Sequence, residues 1–140
     1  MEIKANDIMS DHVVVIYEDM LVRQVAHLML RDRVSTFPVV NKDIGLTGII
    51  TMTDLFLIIN KAAEQQDKSD LFAVISEFKN MQVGDVMSRN VVSITHNTSL
   101  AEIIQLMLQK QMHSFPVMED GKIIGIVSRH DILNAIYAYD

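Results

Sequence analysis

Cysteine is missing from this chain. With it go disulfides, thiolate zinc sites and cysteine nucleophiles. Five glycines and two prolines in 140 residues leave little room for flexible linkers. An excess of basic residues is also lacking. The formal net charge is −6, whereas a general affinity for DNA, RNA or anionic lipid needs a basic face. Long hydrophobic runs are absent as well: Leu55 to Ile59 is fully apolar, but a membrane helix needs about 20 such residues. Met1 to Ser10 carries Glu2, Lys4 and Asp7 and no apolar centre, unlike a signal peptide. These absences lead us to expect a soluble, cytoplasmic protein that binds neither nucleic acid polymer nor membrane.

Catalytic machinery is equally sparse. There is no Walker-type glycine loop to hydrolyse a bound triphosphate and no nucleophile elbow. His96, His113 and His130 match no compact metal-ligand spacing. We therefore expect neither an enzyme nor a resident metal site. What remains is 49% hydrophobic and 21% charged, the balance of a globular protein rather than a disordered one.

The chain is then seen to say nearly the same thing twice. Asp7-Ile8-Met9-Ser10, Val13-Val14, Phe37-Pro38-Val39, Gly48-Ile49-Ile50-Thr51 and Asp54 return as Asp85-Val86-Met87-Ser88, Val91-Val92, Phe115-Pro116-Val117, Gly125-Ile126-Val127-Ser128 and Asp131. The shift is 78 (87 − 9) at first and 77 (131 − 54) after a one-residue slip near Lys42. A register held this long means two copies of one unit. Each copy is near the size at which a unit struggles to bury enough apolar surface alone, so the two are expected to fold together. We place the first repeat at residues 1–60, a helical inter-repeat segment at 61–80, and the second repeat at 81–140.

Each copy reads as strand, helix, strand, strand, helix, an α/β (α+β) pattern. Val13 to Ile16 and Val91 to Ile94 are β-branched runs suited to strands. Val22, Val25, Ala26 and Met29, then Leu100, Ile103, Ile104 and Met107, recur at helical spacing. Phe37 to Val40 and Phe115 to Met118 are short apolar strands whose prolines suit a strand end or edge. Asp120-Gly121 signals a hairpin. Leu55, Ile58, Ile59 and Ala62 begin a closing helix that Phe56 and Leu57 make apolar almost all round, which suggests cover from a second subunit or, as the alternative, from the inter-repeat segment folded back over that face. Ala62 to Lys68 can extend that helix, and Leu71, Val74, Ile75 and Phe78 predict another.

The paired Met-Ser, Phe-Pro-Val and Gly-hydrophobic-hydrophobic-Ser/Thr-x-x-Asp motifs resemble the cystathionine-β-synthase (CBS) domain. Two in tandem look like a Bateman module, and the resemblance covers essentially the whole chain. It implies two sheets joined about a pseudo-two-fold axis, with clefts between the repeats that take adenosine-containing ligands, and modules that dimerise. The resemblance carries the ribose-binding acid onto Asp131, the small hydroxyl residue onto Ser128, and a phosphate-meeting basic residue onto His113.

Ser128-Arg129-His130-Asp131 has the chemistry for that role: a carboxylate for ribose hydroxyls, and a helix start with nearby positive groups for phosphate. Ser-x-x-Asp is also an ordinary helix cap, and the two roles are compatible. In the first copy Thr51 and Asp54 match, but Met52 and Thr53 replace Arg129 and His130, and Ser35 stands for His113. Tighter binding is therefore expected at Ser128 and Asp131. Phe115, Pro116 and Val117 are candidates for a base slot, and Thr95 is a further polar candidate. The function expected is regulatory sensing of AMP, ADP, ATP or S-adenosylmethionine, with Mg²⁺ where a nucleotide carries it in, by a homodimer. The alternatives are a structural protein-interaction module with degenerate clefts, or a regulatory subunit of an enzyme or transporter with its own protein target.

Overall fold

The computed structural model describes residues 2–65, 76 and 79–138. The predicted helix over Leu71 to Phe78 lies outside the described residues apart from Ser76. In chain order the elements are α1 (Ala5–Ile8), β1 (Ile16–Tyr17), α2 (Val22–Asp32), β2 (Thr36–Asn41), β3 (Gly45–Thr51), α3 (Met52–Gln65), a 3₁₀ turn (Val83–Asp85), β4 (Ile94–Thr95), α4 (Leu100–Lys110), β5 (Ser114–Glu119), β6 (Lys122–Ser128) and α5 (Arg129–Tyr137). They make two three-stranded sheets, ordered β1-β2-β3 and β4-β5-β6. In each, a parallel pair is followed by an antiparallel hairpin.

Packing does not follow the repeat boundary. One compact unit is Val15–Val91; the other joins Met1–Val14 to Val92–Asp140. We call these the central and the terminal unit. Each holds one repeat's sheet and the lead-in segment of the other repeat. In the terminal unit, Ala5 N–H donates to Thr98 O (2.8 Å) and Leu100 N–H to Ile3 O (2.8 Å). Ser10 and Ile126 exchange two backbone bonds of 2.9 Å. The central unit repeats this with Val83 on Met20, Val22 on Met81, and Ser88 exchanging bonds with Ile49. Val83 and Met87 are thus buried with Ile16, Val25, Phe37 and Ile50, and Ala5 with Ile103, Phe115 and Val127. Burying such a side chain stabilises by about 1.5–3 kcal/mol.

Glycines make the docking possible. A Cβ on Gly48 would lie 2.8 Å from Ser88 O and 2.7 Å from Met87 Sδ; one on Gly125 would lie 3.0 Å from Ser10 O and 2.5 Å from Met9 Sδ. A side chain at either position would force the lead-in backbone or its methionine to shift.

Several elements differ from the sequence expectation. The first strand of each copy is only two residues long, because β2 and β5 offer partners to Ile16-Tyr17 and Ile94-Thr95 alone. Pro38 and Pro116 sit in central strands, not at an edge. Each lies one residue before the parallel partner begins pairing, so the missing N–H costs no ladder bond. The slip near Lys42 is a turn difference. Three residues separate the Asn41–Gly45 pair, and two separate Glu119–Lys122. Asp120 (φ 50°) and Gly121 (φ 77°) both have the positive φ of a tight hairpin turn. The short α1 and the 3₁₀ turn that opens the second lead-in were not anticipated.

In the central unit Glu18 ties the lead-in down further. It accepts from Thr47 Oγ1 (2.8 Å), Asn41 Nδ2 (3.4 Å) and Arg89 Nη1 (3.3 Å). The Thr47 hydroxyl foremost, then the Asn41 amide and the Arg89 guanidinium, hold the Glu18 carboxyl below its ordinary value.

Two predictions follow from this packing. Gly48→Ala should cost about 1–3 kcal/mol in urea unfolding, while Gly84→Ala, whose added Cβ would meet Glu18 O at 3.4 Å, should cost clearly less; equal losses would contradict the docking account. Because folding lowers the Glu18 value, its stabilisation is complete above the ordinary glutamate value of about 4.3 and is lost as pH falls through the folded value. Glu18→Gln should therefore flatten the acid limb of a stability–pH curve, and an unchanged limb would dismiss the contribution.

Candidate functional site

The start of α5 is built by its own first residues. Ser128 is the N-cap, in extended conformation (φ −106°, ψ 167°). Its hydroxyl accepts from Asp131 N–H (3.2 Å) and donates to Asp131 Oδ2 (2.9 Å), which also accepts from Ser128 N–H (2.8 Å). In the central unit Thr51 and Asp54 repeat the box: Thr51 N–H donates to Asp54 Oδ2 (2.8 Å) and Asp54 N–H to Thr51 Oγ1 (3.1 Å). The capping reading of Ser-x-x-Asp therefore holds in both copies. It occupies one carboxylate oxygen and leaves Oδ1 of Asp131 without a protein partner among the described residues.

The second strand is tied to the same point. Arg129 N–H donates to His113 O (3.0 Å), as Met52 N–H does to Ser35 O (2.8 Å). His113, Ser128, Arg129, His130 and Asp131 are thereby brought together at one end of β5 and β6, where Ser114 faces Ser128. His113, Arg129 and His130 are exposed, and Ser128 and Asp131 half-buried. The expectation of free helix-start amides needs narrowing: those of Arg129 and Asp131 are already engaged, which leaves that of His130.

Asp131 also lines a groove of about 520 Å³ between α1 and α5, together with Glu2, Ile3, Asp7, Ile8 and Asn134. The acid therefore stands where the lead-in of the first repeat meets the closing helix of the second, inside one packing unit. Sequence reasoning missed α1 as a wall of this groove. The available signal was the acidic Asp7, which accepts from Lys4 N–H (2.9 Å) and starts that helix.

The other candidates stand elsewhere. Phe115 and Val117 are fully buried in the core, and Pro116 is buried between them. Thr95 pairs with Met118, four residues along β5 from Ser114. That is roughly 13 Å from the α5 start at about 3.3 Å per residue. Its amide and hydroxyl bond to Thr98 Oγ1 (3.0 and 3.2 Å). No three His, Asp or Glu side chains are arranged to hold a metal ion, and no helix is long and apolar enough to cross a membrane, among the described residues.

Two α/β units, each with a helix capped by its own Ser or Thr and Asp, define a tandem-repeat module. The CBS domain family matches residues 5–61 and again 83–138, and the chain belongs to that family. It is 33% identical to the uncharacterized protein MJ1426 of Methanocaldococcus jannaschii, over 93% of this chain and 89% of that one. It is similar to CBSX2 of Arabidopsis thaliana, solved in complex with AMP, at 25% identity, TM-score 0.77 and 96% coverage of both chains. The CBS domain pair of protein MJ0100, solved with 5-methylthioadenosine and S-adenosyl-L-methionine, has the same fold at 19% identity and TM-score 0.78, over all of both chains.

The capping geometry carries its own prediction. Ser128→Ala should lose about 1 kcal/mol of stability by removing the cap, and Ser128→Thr should keep most of it. Chemical denaturation checks this, and no loss in the alanine variant would contradict the capping role.

Proposed function

We propose that this chain is a regulatory module, without catalysis of its own, that binds an adenosine nucleotide at the start of α5. The observation that carries the reading is the half-engaged Asp131 carboxylate. It lines a groove, and Arg129 and His130 share its helix start, to which the backbone of His113 is tied. A ribose diol donates one hydroxyl to Oδ1 and shares Oδ2 with the cap. A phosphate meets the His130 amide and the side chains of Arg129, His130 and His113.

Glu2 and Asp7 make the groove itself acidic. A phosphate chain is therefore kept to the basic side. AMP or the cationic S-adenosylmethionine suits the site better than ADP or ATP without Mg²⁺. The Arabidopsis relative solved with AMP supports the same ligand class. At Thr51 and Asp54, Met52 and Thr53 supply no charge, so that site is the weaker. Thr95 and the buried Phe115, Pro116 and Val117 belong to the scaffold in this reading.

Matched exposed apolar residues support a homodimer or a protein target as partner, and the setting we propose is cytoplasmic. Phe56 and Leu133, then Ile59 and Ile136, occupy equivalent places on α3 and α5 and are exposed in both units. The same residues favour the second reading, a protein-interaction module or regulatory subunit.

Thermal unfolding against AMP, ADP, ATP and S-adenosylmethionine, with and without Mg²⁺, separates the readings. A ligand at about a hundred times its Kd adds about 2.7 kcal/mol. The expected result is a shift with AMP that Asp131→Ala abolishes and Asp54→Ala largely keeps. Equal loss in both variants would sink the ordering of the sites. No shift with any ligand would favour the interaction module.

A further inference from the structure

The lead-in segments of the two units are held at one matched place by groups of opposite charge. In the central unit Gly84 N–H donates to Glu18 O (2.9 Å). Arg89 meets the Glu18 carboxylate through Nη1 (3.3 Å) and Gly84 O through Nη2 (3.3 Å). The repeat register carries Gly84 onto Asn6, Glu18 onto His96, Arg89 onto Asp11 and Asn41 onto Glu119. The backbone bond is kept, since Asn6 N–H donates to His96 O (3.0 Å). The side chains are reversed: a histidine stands for the acid, and acids stand for the arginine and the asparagine. His96 Nδ1 lies 3.9 Å from Glu119 Oε1.

The two arrangements answer differently to protons. Arginine and glutamate keep their charges across the neutral range, whereas histidine gains and loses its own between about pH 5 and pH 8. The charged residues on the elements packed against His96 are Glu119, Asp120 and Lys122 in the β5–β6 hairpin, and Lys4, Asp7 and Asp11 in the lead-in. A positive ring therefore meets mainly acids, while a neutral one forms no ion pair. The turn that holds His96 also carries α1. Ala5 N–H donates to Thr98 O (2.8 Å), and Leu100 N–H to Ile3 O (2.8 Å). Ile3, Asp7 and Ile8 in turn line the groove beside Asp131.

We infer that His96 is a proton-operated latch on the lead-in of the terminal unit. Its imidazolium pairs with Glu119, which ties the turn after β4 to the end of β5 and so steadies the backbone on which α1 starts. Loss of the proton releases the pair and loosens that groove wall. The Glu18–Arg89 latch of the central unit stays closed over the same pH range, so acidification tightens one unit and not the other.

Amide hydrogen exchange of the full chain, read as protection relative to the unstructured rate at each pH, tests the latch. Between about pH 8 and about pH 5.5 histidine changes charge while carboxylates stay ionised. On that acidification the amides of Ala5, Asn6 and Leu100 should gain about twofold to fivefold protection, the range of a partly exposed ion pair. The amides of Val83 and Gly84 in the central unit should not follow them. His96→Gln and Glu119→Gln should each remove the gain, and His96→Arg should hold the protected state at both pH values. Glu119 is exposed, so its variant remains informative even if those at His96 do not fold. An equal gain in both units, a gain that persists in Glu119→Gln, or no gain in the unaltered chain would overturn the inference.

Discussion

Everything in this molecule depends on a short stretch of backbone lying across a strand with nothing in between. Ser10 meets Ile126, and Ser88 meets Ile49, each through a reciprocal pair of 2.9 Å bonds. Gly125 and Gly48 supply the missing side chains. This close approach brings Ala5 into one core and Val83 and Met87 into the other. Each unit thus closes only with a segment borrowed from the opposite repeat. The same contact carries α1 against α5, so a fold constraint creates the groove beside Asp131.

Capping and, in the proposed function, ligand binding fall to one carboxylate. A helix start must satisfy orphan amides, and Asp131 and Ser128 do so with three short bonds while sparing one oxygen. Asp54 and Thr51 do the same, which explains why the motif survives in both copies even where the surrounding charges differ. The neighbours differ between the copies: Arg129, His130 and His113 give the terminal unit a basic edge, where Met52, Thr53 and Ser35 stand in the central unit.

Much of this was legible in the sequence. The repeat register set out both sheets, and helical spacing placed α2 and α4 within a few residues of their ends. The Ser128–Asp131 capping box was legible because the motif recurs in register at Thr51 and Asp54, whereas His113, matched by Ser35 in the first copy, came only from the family resemblance. What escaped has physical causes. Strand length at β1 and β4 is decided by how far the neighbouring strand offers partners, which a β-branched run does not encode. Pro38 looked like an edge residue because its missing N–H is a local property, while the end of β1 beside it is a tertiary one. The place of Thr95, opposite Met118 and away from Ser114 along β5, is set by the parallel register, which residue type does not reveal. That lead-in segments pack across repeats leaves only the glycines as a trace, and Gly48 and Gly125 had been seen as landmarks rather than as contacts.

The central claim is that the α5 start of the terminal unit is the place where an adenosine nucleotide binds. Amide chemical shifts of the ¹⁵N-labelled chain, followed as AMP is added, test it most directly. Perturbations concentrated at His113 and Ser128 to Asp131, extending to Ile3 and Asp7, with weaker and later changes at Thr51 to Asp54, are the predicted result. Shifts confined to Thr51 to Asp54, or none at saturating AMP, would contradict the account.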